Sequence, residues 1–217
     1  MPDEGRAVQC DVPLPQPETM FDPSQYSAPI AEILRAQEGG NRLMPLAPDA
    51  PLHGPGLDRL RAAPADQLFG GTPAVSRAFA DCVRSGLFLY FSAIDESHKI
   101  SQEISSSSGS YWHGIMHRQE PDYGNSKYWF RRVGQHEIFL ELRARVLQEL
   151  RSATGPEADS MARAIEANSN WDPFWFVDTC EQACRRPNGE FYRLTLEIQR
   201  LEWQILFDYC YREALKL

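Results

Sequence analysis

Proline sets the first boundary on what this chain can fold into. Ten of its sixteen prolines stand within the first 55 residues, among them Pro13, Pro15, Pro17, Pro45, Pro48, Pro51 and Pro55. Each removes a backbone donor and crowds the preceding turn, so a long uninterrupted helix cannot form there. One stretch escapes this limit: over 29–37, Ile30, Ile33 and Leu34 follow helical spacing, and Gly39-Gly40 supplies a stop. The reading is a proline-rich arm over residues 1–72, carrying one short helix and pinned to the body by Phe21, Tyr26 and Leu34.

After Gly70-Gly71-Thr72-Pro73 the pattern changes. Phe79, Val83, Leu87, Phe91 and Ile94 recur at steps of three and four, which predicts one helix with a buried face over 74–104. Further helices are expected over 111–120, where Pro121 ends the pattern, and over 135–151, 158–169, 173–186 and 190–215. Asp122-Tyr123-Gly124-Asn125 reads as a turn, Gly134 as a break, and Asp172-Pro173 as a helix cap followed by proline at the first helical position. No stretch alternates with β-branched enrichment, so the fold class is all-α: a compact helical bundle over 73–217 behind the arm.

Charge narrows the function classes. The 30 acidic residues exceed the 22 Lys and Arg, giving a net charge of -8, which argues against a broad nucleic-acid surface. The opening Met1-Pro2-Asp3-Glu4-Gly5 has no basic region followed by an apolar stretch, and the apolar run near Leu87 and Phe91 is too short to span a bilayer. The five cysteines, Cys10, Cys82, Cys180, Cys184 and Cys210, are odd in number and irregular in spacing, as free thiols of a reducing compartment are. A soluble, cytoplasmic protein with no membrane or nucleic-acid partner is therefore expected. Cys180 and Cys184 lie one helical turn apart, as two packed thiols or as a pair for a disulfide or metal.

The chemistry concentrates between Asp95 and His136. His98 follows Leu87, Phe91 and Ile94 on the predicted stripe and should point inward, with Asp95 and Gln102 within ~60° of it to orient the imidazole. His113, His117 and Glu120 at i, i+4 and i+7 share a sector of ~60°. Two histidines one turn apart can grip a divalent metal or bracket a substrate, or hold a pocket wall through ordinary hydrogen bonds. The glutamate that metalloproteases carry after the first histidine is here Gly114. Glu202 lies amid Ile198, Ile205, Leu206 and Tyr209 on the last helix, where a carboxylate needs a histidine, an arginine or a metal ion as partner. Arg118, Lys127, Arg131 and Arg132, interleaved with Tyr123, Tyr128, Trp129 and Phe130, suit a carboxylate or phosphate on a small organic body; alternatively they pair with acids such as Glu120, Asp122 and Glu137.

The blocks SHKISQ over 97–102, YWHGIMHRQEPDY over 111–123, NSKYWFRRVG over 125–134 and EWQILFDYC over 202–210, together with WDPF over 171–174, resemble an uncharacterised family of helical proteins from bacteria and fungi. The resemblance covers residues 86–210 and omits the arm. It implies that these residues belong to one site, and it supplies no reaction.

Three functions compete. The first is a pocket with His98, His113, His117 and Glu202 as proton-handling groups and Arg118, Glu120, Tyr123, Asn125, Lys127, Tyr128, Arg131 and Arg132 binding a small anionic molecule, as an enzyme or a binding protein. The second is a metal-binding protein or metalloenzyme in which His113 and His117, with His98 and an acid, hold a divalent metal. The third is a protein-interaction module whose aromatic segment over 123–130 docks a partner while the histidines support the core.

Overall fold

The computed structural model describes residues 21–65 and 67–217. Expectations on Cys10, Pro13, Pro15 and Pro17 lie outside these residues. Among the described residues there are ten α-helices and no strand, so the fold is all-α. None of these helices is long and apolar enough to cross a membrane.

The described part of the arm holds two helices, one more than expected: α1 (Ala28–Arg35) and α2 (Pro55–Ala62). Both carry proline in the first turn, where its missing N–H has no intrahelical partner to lose. Tyr26, Ile30, Ile33, Leu34, Leu57 and Leu60 are buried in the same core as the body's side chains. Burying one such side chain is worth about 1.5–3 kcal/mol, so the segment contributes to the core and is no loose tail. Polar groups fix its course. Gln199 and Gln204 donate from the last helix to the Met44 and Gly40 carbonyls at 2.9 Å each, and the Tyr90 hydroxyl accepts from the amides of Gly40 and Arg42.

The helix expected over 74–104 is in fact two, α3 (Arg77–Tyr90) and α4 (Ile94–Ser101). Ser92 adopts a left-handed conformation at φ 56°. Its amide bonds the Leu89 carbonyl and that of Ala93 bonds Phe88, both at 2.8 Å. This pair of bonds is the Schellman termination, with serine in the place glycine usually takes. Arg42 also bonds the Tyr90 carbonyl and the Ser92 hydroxyl, and Leu52 donates to the Phe91 carbonyl. The reversal lays α4 back against α3, where the Ser85 and Ser97 hydroxyls meet at 2.8 Å.

Next comes α5 (Ser107–Gln119), capped by Ser106, which accepts from the Gly109 amide. The serine run is therefore a cap and a first turn, so the helix begins earlier than expected. Every residue from Ser108 through Gln119 is buried. The remaining helices are α6 (Tyr123–Val133), α7 (Phe139–Ser152), α8 (Pro156–Glu166), α9 (Pro173–Cys184) and α10 (Glu190–Leu215). The expected turn at 122–125 is instead the start of α6, with Asp122 accepting from the Asn125 amide at 3.1 Å, and Gly134 at φ 64° ends it. At Gly114 an added Cβ would lie 3.0 Å from the Phe130 ring, and Ser126 donates to the Gly114 carbonyl at 2.7 Å. The small residue lets α6 lie close along α5. Cys82, Cys180 and Cys210 are buried free thiols and Cys184 is half-buried.

Candidate metal centre

Three helices deliver one cluster of imidazoles. α4 brings His98, α5 brings His113 and His117, and α6 covers them with Asn125 and Trp129. The His98 ring meets His113 and His117 edge-on, with centroids 4.9 and 5.3 Å apart. One nitrogen from each of the three lies within 4.8 Å of the other two, and among the described residues only this group converges as metal ligands would. Asp95 and Gln102, expected to orient His98, are exposed.

Partners on the outer nitrogens turn the other nitrogen of each ring inward. Ser101 Oγ lies 3.4 Å from the His98 carbonyl and 3.1 Å from His113 Nδ1, and its hydroxyl can accept from Nδ1–H or donate to Nδ1. Where the oxygen accepts from Nδ1–H, Nε2 of His113 carries the lone pair; where the hydroxyl donates, Nε2 carries the proton. Glu120 Oε2 lies 3.1 Å from His117 Nδ1. A carboxylate only accepts, so His117 is protonated at Nδ1 and presents the lone pair of Nε2. These two Nε2 atoms are 3.0 Å apart. In the first tautomer of His113 two lone pairs face each other and call for a cation between them; in the second, Nε2–H donates to His117.

A proton is disfavoured as that cation. Burial first, then the neighbouring His117 and His98, push His113 down to about 3. Burial also lowers His117, against the opposing pull of Glu120. Trp129 stacks on His113 with centroids 4.0 Å apart, sealing one side, and Arg132 lies over the indole at 5.0 Å. Asn125 Nδ2 is 3.0 Å from His117 Nε2, where the amide N–H donates to that nitrogen's lone pair.

Other residues singled out by sequence lie elsewhere. Arg118 is fully buried and pairs with Glu202, so it does not stand at a pocket mouth, and Tyr111 donates to the same carboxylate at 3.1 Å. Arg118 follows His117 by ~100° around α5, which turns it toward α10 and away from the imidazoles. The charge of Glu202 is thus balanced by Arg118, with Tyr111 as a hydrogen-bond donor, and the guanidinium also lies over Phe176 at 4.5 Å. Lys127 pairs with Asp178 at the surface, Tyr128 and Arg131 are exposed, and Tyr123 is half-buried against the core. His136, the fourth histidine of the stretch, bonds Ser108 at 3.0 Å in a separate environment, and burial lowers it to about 4. Ser101 and Trp129 are the centre's residues that spacing did not single out. The serine lies three positions after His98 in the SHKISQ block, and the indole lies four after Asn125 in NSKYWFRRVG, each one turn from a residue already suspected.

Compared with family models, curated proteins and solved structures, the chain matches none.

Proposed function

We propose that the protein binds a divalent transition-metal ion through His98, His113 and His117 and uses it as a metal-dependent enzyme does. The observation that carries this reading is the 3.0 Å gap between the two Nε2 atoms, both turned inward by partners on their Nδ1 atoms. Two imidazoles on one zinc ion, with bonds of ~2.0–2.1 Å, place their nitrogens ~2.9–3.4 Å apart. Rotation of the half-buried His98 ring would bring the third nitrogen into range. Serine and carboxylate behind the ligands are the supporting contacts that metal-bound histidines use to fix their tautomer. Three protein nitrogens leave a position for water or a ligand, as in catalytic zinc sites rather than closed structural ones.

Metal analysis of protein purified without chelator tests this. One equivalent of zinc or a related ion is expected, lost in His113→Ala and His117→Ala, and cobalt(II) reconstitution should give the visible bands of a four- or five-coordinate site. Stoichiometry unchanged in both variants would remove the proposal.

A second reading has one observation in its favour. Arg132 lies over Trp129, and Trp129 over His113, which sets a guanidinium one ring away from the imidazoles, as binding of a small carboxylate or phosphate without metal would use. Anion binding that survives full chelation and falls in Arg132→Ala would favour it.

A further inference from the structure

A groove of about 310 Å³ runs beside the histidine cluster, between the 48–51 segment, the start of α4 and the end of α5. Its charged lining is wholly acidic: Asp49, Asp95, Glu96 and Glu120. Glu96 already holds one guanidinium, that of Arg61, and Glu120 is turned to His117. Asp49 and Asp95 are exposed and in no ion pair among the described residues. Gln119, which also lines the groove, is the second observation. Its side chain is 2 % exposed, yet both its Oε1 and its Nε2 lack a hydrogen-bond partner. A buried amide with neither end satisfied costs about 1–3 kcal/mol per group, so a partner from outside the fold is called for.

We propose that this groove binds an organic cation: a small molecule bearing a primary amine or a guanidinium. A metal ion does not fit, because these carboxylates do not converge on one point as the three histidines do. Carboxylates spread around a cavity of this size instead suit a cation several atoms long, with Gln119 accepting an N–H at the floor. Glu120 lines the groove and also holds His117, so a bound amine ends beside the imidazoles. Its role as a subsite of the metal centre rests on the metal reading; its affinity for amines does not.

The test is calorimetric titration of the full chain at low ionic strength with agmatine, using 1,4-butanediol and succinate as neutral and anionic controls. Agmatine is expected to bind and the controls not. Asp49→Asn with Asp95→Asn, both exposed positions, should weaken agmatine by about tenfold, a loss of about 1.4 kcal/mol. Gln119→Met, of similar shape and checked for an unchanged melting temperature, should weaken it by about threefold or more. In His113→Ala agmatine affinity should stay within about twofold. That variant separates the two ideas: lost metal with retained agmatine supports the groove alone. Absence of agmatine binding, equal binding of butanediol or succinate, or unchanged affinity in the double aspartate variant would overturn the proposal.

Discussion

Ser101 Oγ lies 3.1 Å from Nδ1 of His113, on the side of the ring opposite the nitrogen that faces His117. The serine reaches the ring only because α4 doubles back at Ser92, so that Ser101 and His98 approach α5 together. Without the hydroxyl, the ring loses its orientation. Ser101→Ala is expected to lower metal affinity by about 10–100-fold while leaving the fold intact. Competition against a chromophoric chelator reads this directly; an affinity equal to that of the unaltered protein would contradict a role of the serine in orienting the ring.

Acid should weaken both the fold and the centre. Burial pushes His113 down to about 3 in the folded chain and His136 to about 4, from the ordinary imidazole value of about 6.5, and lowers His117 as well. Between those limits the unfolded chain binds more protons than the folded one, so stability rises with pH across this window. The contribution is complete above about 6.5 and is lost as pH falls toward 3–4. Urea denaturation of metal-free protein at a series of pH values should show a falling midpoint from neutral to acid. A flat profile would mean that the imidazoles are not held neutral.

The buried pair of Arg118 and Glu202 should matter for stability and not for metal. Both side chains are fully buried, and Arg118 Nε has no hydrogen-bond partner. Glu202→Ala strands a charge in the core and is expected to cost about 3–5 kcal/mol in chemical denaturation. Replacing both partners by leucine and methionine should cost less than the single change. Metal affinity of the folded double variant should match the parent within about twofold; a larger loss would tie this pair to the centre.

Gly109 is expected to tolerate no side chain. A Cβ there would lie 2.4 Å from Ile104 Cγ2 and 2.5 Å from the Ile104 carbonyl oxygen. The neighbour includes backbone and cannot swing aside, so Gly109→Ala should destabilise by about 1–3 kcal/mol. A melting temperature equal to the parent's would show that the α4–α5 connection is less tightly packed than described.

How much of this was legible depended on whether the deciding signal was local. The last helix, expected over 190–215, is Glu190–Leu215, because its apolar stripe and the Gly189 start are written in consecutive residues. The spacing of His113, His117 and Glu120 likewise placed them on one face, and the side chains meet there. The break at Ser92 was hidden because serine gives no sign of a left-handed turn, and its holders, Arg42 and Leu52, come from the arm. Arg118 was misplaced because a cation next to two histidines in sequence reads as their neighbour, whereas a step of one residue turns it about 100° away. The polar character of α5 also concealed its burial. Its serines, histidines and arginine are matched by groups on α4, α7-side loop residues and α10, which no window along the chain can reveal.

That enclosure gives α5 a kinetic place as well as a spatial one. A helix covered along its whole length from Ser108 to Gln119 can release its amide hydrogens only when its neighbours part, so its exchange with solvent should follow global unfolding. Two of the three proposed ligands ride on this covered segment. The third, His98, stands on the eight-residue α4 and is the more solvent-accessible ring. Any ion would therefore enter and leave by the swing of His98, at a rate set by one side chain instead of by the melting of the fold.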